Sequence, residues 1–195
     1  MDEHALPGAA ARLELADTLR ETLQAAGYVT IGYDHYARPD DPIAIAARQG
    51  GLARNFQGFV ETQPDALIGL GPSAISTLPQ GYAQNEAEVG AWRTAIMSGG
   101  LATKRGKALS ADDVHRRALI MRLLCDFELD LQSFGGLEAF AAELAELAPL
   151  AKDGLVVVEG ARIVIPDAAR PFARLVAQAF DAYRDVGAAR HSRAV

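Results

Sequence analysis

A helix-forming segment runs straight into a β-branched one with a single glycine between them, and this join limits what layer the chain can build. In ARLELADTLRETLQAAG, Leu13, Leu15, Leu19 and Leu23 recur at roughly helical spacing, while Arg20, Glu21 and Gln24 fall on the other side. Pro7 and Gly8 precede the segment, and Gly27 is placed to end it as a C-cap. YVTIGY, from Tyr28 to Tyr33, follows at once and is apolar on both faces. That pattern predicts a buried strand of a parallel sheet, reached from a covering helix. Helix followed by buried strand implies an α/β architecture.

From Asp34 to Gly58 the chain is polar and punctuated by Pro39, Pro42, Gly50 and Gly51, so most of it reads as loop, with a short helix around Ala44 to Arg48. ALIGLG, from Ala66, reads as another short buried strand entering a glycine turn. A helix around Glu86 to Ser98 then carries Val89, Trp92, Ile96 and Met97 and stops at Gly99-Gly100. Ser110 and Asp113 form a capping box that opens a helix through about Phe127. Leu137 to Lys152 is apolar-periodic but interrupted by Pro149. LVVV and ARIVI flank a turn at Glu159-Gly160, a hairpin signal. Pro166-Asp167 leads into a last helix from about Ala168 to Asp185. Helices, a hairpin and a closing helix have the look of a winged-helix domain, and the boundary falls loosely in Gly99 to Ser110.

Composition removes several functions. A formal charge of −6 argues against a general binder of phosphate backbones. The winged-helix look is no licence for DNA binding. Gly135 to Val158 is acidic (Glu138, Glu143, Glu146 and Asp153 against Lys152), and Arg184, Arg190 and Arg193 are too sparse for a phosphate surface. No apolar run approaches the ~20 residues of a membrane-spanning helix, and MDEHALPG is not a secretory signal. One cysteine, Cys125, makes neither an internal disulfide nor a multi-thiolate metal site, and it reads as a buried, inert thiol in MRLLCDF. His4, His35, His115 and His191 lack the close spacing of a helical metal motif. No metal ligand and no catalytic residue is assigned. A reducing cytoplasm fits all of this.

Some residue types remain that carry chemistry. A G-x-G turn after a strand lets the backbone approach a ligand, because Gly69 and Gly71 have no Cβ; it is also an ordinary tight turn, and it lacks the third glycine of a dinucleotide fingerprint. Phe56 offers a flat apolar face and Gln57 a two-way hydrogen-bonding amide, though in a generic domain the first reads as core and the second as surface. Asp34 and His35 follow the first strand, where barrel enzymes place their chemistry, or they cap a loop. Arg38 matches a carboxylate such as a propionate, or is solvated. Tyr82, Gln84 and Asn85 bear hydrogen-bonding groups for a polar pocket, and Asn85 also suits a helix cap. Arg116 and Arg117 read as a solvated helix face.

In order, these elements are GYVTIGYDHYARPDD, RQGGLARNFQGF, ALIGLGPSAIST and GYAQN, spread from Gly27 to Asn85. Together they resemble the oxygen-independent coproporphyrinogen III oxidases (coproporphyrinogen dehydrogenases) of haem biosynthesis, which are radical S-adenosylmethionine enzymes. KRG at Lys104, HRR at His115, RGKALSADDVHRRALIMRLLCDFELD and LAPLAKDGLV extend the likeness over nearly the whole chain. Phe59, Val60 and Glu61 depart from the family's Tyr-Thr-Thr, which bears on hydrogen bonding near Gln57, and Tyr36 replaces a common Phe. The resemblance implies the C-terminal part of a partial (β/α) radical barrel over residues 1–100, followed by a small helical winged-helix-like domain with a β-hairpin over 101–195.

The resemblance further implies that Ile75 contacts an adenosine, that Gly69 and Gly71 lie beside S-adenosylmethionine, and that Phe56 and Gln57 sit at the active site near it. The family's cofactors are S-adenosylmethionine and a 4Fe-4S cluster held by C-x-x-x-C-x-x-C, a motif this chain lacks. Its reaction begins with a 5′-deoxyadenosyl radical that takes hydrogen from propionates of coproporphyrinogen III. These lose carbon dioxide to give the vinyl groups of protoporphyrinogen IX, and the cluster is reduced by an external electron donor. The implied partners include no nucleic acid and no membrane, and a monomer is expected. On this reading the chain is inactive alone, and Tyr28 to Tyr33 leaves an apolar edge and face, so that the chain either aggregates or keeps a stable C-terminal domain behind a poorly ordered first half. The alternative is a non-catalytic module that binds S-adenosylmethionine, a porphyrin or a protein partner.

Overall fold

A computed structural model describes residues 7–184. The end of the last helix at Asp185, the basic residues Arg190 and Arg193, and the N-terminal MDEHAL lie outside that range. The described residues group into two units, one of 7–62 with 116–184 and one of 63–115.

In the first unit, α1 (Ala9–Ala25) ends as expected at Gly27, which has φ +85°. The Gly27 amide donates to the Gln24 carbonyl (2.9 Å) and the Tyr28 amide to the Leu23 carbonyl (3.0 Å), a Schellman stop. The strand that follows, β1 (Val29–Ile31), is not part of a parallel sheet. It pairs antiparallel with β2 (His35–Ala37), in the register Val29–Ala37 and Ile31–His35. The loop Gly32-Tyr33-Asp34 reverses the chain, with Gly32 at φ +59°, where a Cβ would run into the Phe59 ring. Apolar residues on both faces fit either kind of pairing, and the short glycine loop decides between them. Nor is the face of this strand bare: Ile31 is buried with Ala37, Ala44, Leu52, Phe59 and Cys125, and Val29 packs against them.

The next helix, α2 (Pro42–Gln49), is longer than the expected Ala44 to Arg48 because both ends are built. Asp41 accepts from the Ile43 amide (3.0 Å), Pro42 opens the first turn, and Gly50 closes it at φ +71°. Two short strands, β3 (Ala53–Arg54) and β4 (Phe59–Val60), then pair antiparallel around a tight turn.

The second unit holds a three-stranded antiparallel sheet, β5 (Ile75–Leu78), β6 (Gly81–Asn85) and β7 (Thr103–Ala108), in that order. ALIGLG does not form the expected buried strand. Only Leu67 bridges, to Thr77, and Ile68 and Leu70 are exposed. The helix α3 (Val89–Met97) is capped by Glu88, and its Val89, Ile96 and Met97 are exposed, not set into a core.

α4 (Ala111–Asp126) opens on the capping box. Asp113 Oδ2 accepts from the Ser110 amide (2.8 Å), and the Ser110 hydroxyl accepts from the Asp113 amide (3.1 Å). Within the first unit the helix stops at Phe127, φ +60°, whose carbonyl accepts from the Ile165 amide. A strand not expected from the sequence, β8 (Glu128–Asp130), comes next. Short 3-10 segments, Leu131–Phe134 and Leu137–Phe140, lead to α5 (Ala141–Lys152), which carries Pro149 inside it. The hairpin β9 (Val157–Glu159) and β10 (Arg162–Val164) forms with its turn at Gly160-Ala161, one residue later than expected, because Glu159 pairs with Arg162. β10 also pairs with β8, so the sheet order is β8-β10-β9. The expected last helix is split by Pro171 into a 3-10 segment, Asp167–Phe172, and α6 (Ala173–Gln178). Leu119, Leu123, Leu131, Leu147, Ile163, Val176 and Phe180 form the unit's main core.

Candidate functional site

The turn between β3 and β4 presents two of the expected site residues. The Asn55 side-chain oxygen accepts from the Gln57 amide (2.7 Å), and the Asn55 amide donates to the Gly58 carbonyl (2.9 Å). This Asx-type closure holds Phe56, 54% exposed, and Gln57 at the tip. Gly58 has φ +144°, a conformation that disfavours any side chain. The hydrogen bonding near Gln57 therefore comes from Asn55 and Gly58, and the substituted Phe59 and Val60 serve as strand residues.

Behind the turn stands an aromatic cluster. Phe59 meets Tyr33 edge-on at 5.5 Å and His35 at 5.1 Å, and the Arg54 guanidinium lies over both the Tyr33 and Phe59 rings. Burial pushes the Tyr33 hydroxyl above its ordinary pKa. His35 Nδ1 lies 2.6 Å from the Asp34 carboxylate. Arg38 is solvent-facing, 3.6 Å from the equally exposed Asp40.

Gly69, Gly71 and Ile75 belong to the other unit, where their roles separate. A Cβ on Gly69 would stand 2.8 Å from the Ile75 backbone, so the missing side chain there serves backbone packing. Gly71, at φ +103°, has open space around it. Asn85 lies in β6 and caps no helix. Its amide nitrogen donates to the carbonyls of Gly69 (3.3 Å) and Gly71 (3.0 Å), and this ties the G-x-G turn to the sheet. Gln84 links the Ser73 carbonyl to Arg105, and Lys104 pairs with Glu86 at 3.0 Å. Sequence reasoning missed the tie made by Asn85, which lies fourteen residues beyond Gly71 and left no local signal, and the closure made by Asn55, for which an asparagine three residues before Gly58 was the available signal.

Other expectations change with the structure. Arg116 is not on a solvated face: it pairs with Glu143 at 2.7 Å, and Glu143 is only 13% exposed. Cys125 is buried beside Met121, and burial pushes its thiol up to about 11, which leaves it protonated and unreactive at neutral pH. Among the described residues, no group of three or more His, Cys, Asp or Glu side chains is placed to hold a metal ion. With one cysteine in its sequence, the chain does not itself supply the thiolates of an iron–sulphur cluster. No helix among the described residues is long and apolar enough to cross a membrane. A groove of about 610 Å³ between α1, the β1–β2 turn and residues 167–172 contains none of the five expected cofactor-facing residues.

Comparison with known proteins gives a consistent result. Residues 109–172 match the HemN C-terminal domain. The oxygen-independent coproporphyrinogen III oxidase of Bradyrhizobium diazoefficiens is 42% identical over the whole of this chain and 44% of its own length. The Paracoccus denitrificans enzyme of the same name is 42% identical over 98% of this chain and 43% of its own. A solved structure of coproporphyrinogen III oxidase (HemN) from Escherichia coli, described as a radical SAM enzyme, superposes with a TM-score of 0.85 at 39% identity. That superposition covers 94% of this chain and 44% of the other. The mixed α/β fold is that of the C-terminal part of this structure. The chain spans less than half the length of the curated relatives it matches.

Proposed function

The chain belongs with the C-terminal part of the oxygen-independent coproporphyrinogen III oxidase family, and we propose that it supplies one wall of such an enzyme's cofactor pocket together with the helical C-terminal domain. The reaction of the whole enzyme is the oxidative decarboxylation of two propionates of coproporphyrinogen III, which forms protoporphyrinogen IX in cytoplasmic haem biosynthesis. The observation that carries this reading is the likeness running from end to end of the chain at about two identical residues in five. The division we propose follows function: residues 1–100 carry the pocket wall and 101–195 the closing domain, in keeping with a domain match that begins at 109.

S-adenosylmethionine, when bound in the whole enzyme, supplies the oxidising chemistry. Phe56 covers an apolar face of the cofactor, and Gln57 offers both a donor and an acceptor to its polar groups. The open backbone at Gly71 and the side chain of Ile75 take the adenosine, with Gly69 and Asn85 keeping the turn in shape. These residues bind and orient, and they exclude water from one side of the pocket. None of them holds a cluster, and on this reading the chain is inactive alone, the cluster ligands belonging to the rest of the whole enzyme.

The test is complementation. The chain is joined to, or mixed with, an upstream half carrying C-x-x-x-C-x-x-C and reconstituted with iron and sulphide without oxygen. Cluster absorbance, cleavage of S-adenosylmethionine and protoporphyrinogen formation are then followed. All three appear if the proposal holds. A folded, cluster-loaded assembly that neither cleaves S-adenosylmethionine nor converts coproporphyrinogen overturns it.

A further inference from the structure

Asp34 and His35 have no part in the function proposed above, yet they stand directly behind the turn that carries Phe56 and Gln57. The Asp34 carboxylate lies 2.6 Å from His35 Nδ1. An ionised carboxylate only accepts hydrogen bonds, so Nδ1 carries the proton and the ring is fixed in rotation. The opposite edge of the ring bears on Gly58: a Cβ on that residue would sit 2.8 Å from Nε2. The ring also meets Phe59 at 5.1 Å and 87°. His35 is therefore wedged against two consecutive residues at the stem of the turn.

Each of those residues is itself tied. The Gly58 carbonyl accepts from the Asn55 amide at 2.9 Å, and Asn55 in turn accepts from the Gln57 amide at 2.7 Å. Phe59 lies over Gly32, where no side chain fits. A histidine that merely filled the core would be fully covered. Here the side chains of His35 and Asp34 remain 40% and 49% exposed, and the ring's strong partner is a neighbouring carboxylate.

We propose that Asp34 and His35 are positioning residues for Phe56 and Gln57: the carboxylate locks the imidazole, and the imidazole locks the Asn55–Gly58 turn. The inference rests on the reading that Phe56 and Gln57 face S-adenosylmethionine. Its first test does not depend on that reading. Ring-nitrogen NMR of the ¹⁵N-labelled chain shows His35 protonated at Nδ1. His35→Ala and Asp34→Ala each speed amide exchange at Gln57 by about tenfold, with the core amide of Phe180 unchanged. Asp34→Asn, whose side-chain oxygen still accepts from Nδ1, recovers most of the protection. A proton carried at Nε2 alone, or exchange at Gln57 unchanged in both alanine variants, overturns the proposal.

The second test uses the complemented enzyme. His35→Ala raises the KM for S-adenosylmethionine about tenfold, leaves the KM for coproporphyrinogen within twofold, and keeps cluster absorbance. Asp34→Asn, with the imidazole still held, keeps the KM for S-adenosylmethionine near its wild-type value. An unchanged KM for S-adenosylmethionine overturns the positioning role. If the complemented wild type never turns over, it is the function proposal that fails, and the ring-nitrogen and exchange measurements still decide the fate of the pair.

Discussion

Asn85 shows how a single side chain can hold a motif whose glycines attract the attention. Its amide nitrogen donates to the Gly69 and the Gly71 carbonyls, so its donor group is spent on one turn. Replacing it with alanine removes two neutral hydrogen bonds at a half-buried position, a loss of about 1–2 kcal/mol in local stability. The readout is faster exchange of the Gly69 and Thr77 amides, whose acceptors are the Ser76 hydroxyl and the Leu67 carbonyl. Asn85→Asp is the sharper variant, because a carboxylate facing two carbonyl oxygens repels them, and it should cost more than alanine. Equal exchange in wild type and both variants would remove Asn85 from the argument. At this scale the sequence was legible in part. Residue types flagged the G-x-G turn and the Phe-Gln pair, but which glycine packs backbone on backbone and which stays open depends on where Ile75 passes, a contact no local pattern encodes.

Helix ends written in short-range chemistry were legible at Gly27 and Ser110, and strands defined by long-range pairing were not. The Schellman stop at Gly27 and the Ser110–Asp113 box are contained within a few residues, so the ends of α1 and α4 followed from sequence. β8 did not, because Glu128–Asp130 becomes a strand only by pairing with β10, more than thirty residues on, where Arg162 also grips Glu128 (2.7 Å). The same reasoning misjudged β1, whose partner was assumed to be parallel. α3 offers a test at this scale. The Glu88 carboxylate accepts from the Gly90 (2.8 Å) and Ala91 (2.5 Å) amides, and these bonds hold its pKa below the ordinary 4.5. A lowered folded value means the cap stabilises the helix above pH 4.5 and is lost as pH falls through that lowered value. Acid should therefore fray the first turn of α3, seen as new exchange at Gly90 and Ala91, while Glu88→Gln abolishes the pH dependence. A first turn that stays protected in acid would assign the cap to something other than charge.

As a whole, the chain buries two apolar clusters well and leaves other apolar surface uncovered, and this imbalance governs its behaviour in solution. Leu119, Leu123, Leu131, Leu147, Ile163 and Phe180 are fully buried, so the parts built on α4 to α6 have a core of their own. By contrast α1 buries no residue, and Leu15 and Leu19, one helical turn apart, are exposed on the same stripe. In the other unit Ile68, Val89 and Met97 are exposed, and Leu70 and Leu101 reach 88% and 89%. Single exposed apolar residues are ordinary, but runs of them on one helix mark a surface that packs against something. The source of association is therefore α1 and the 63–115 unit rather than the face of β1, which Ile31 and Phe59 keep covered. The isolated chain should self-associate as its concentration rises, measured by sedimentation velocity over a hundredfold dilution series. Leu15→Lys with Leu19→Lys should shift the distribution toward monomer without altering the melting of the main core, since neither side chain belongs to it. A chain that sediments as a monomer throughout, with or without the lysines, would mean that these leucines are simply solvated and that α1 awaits no partner.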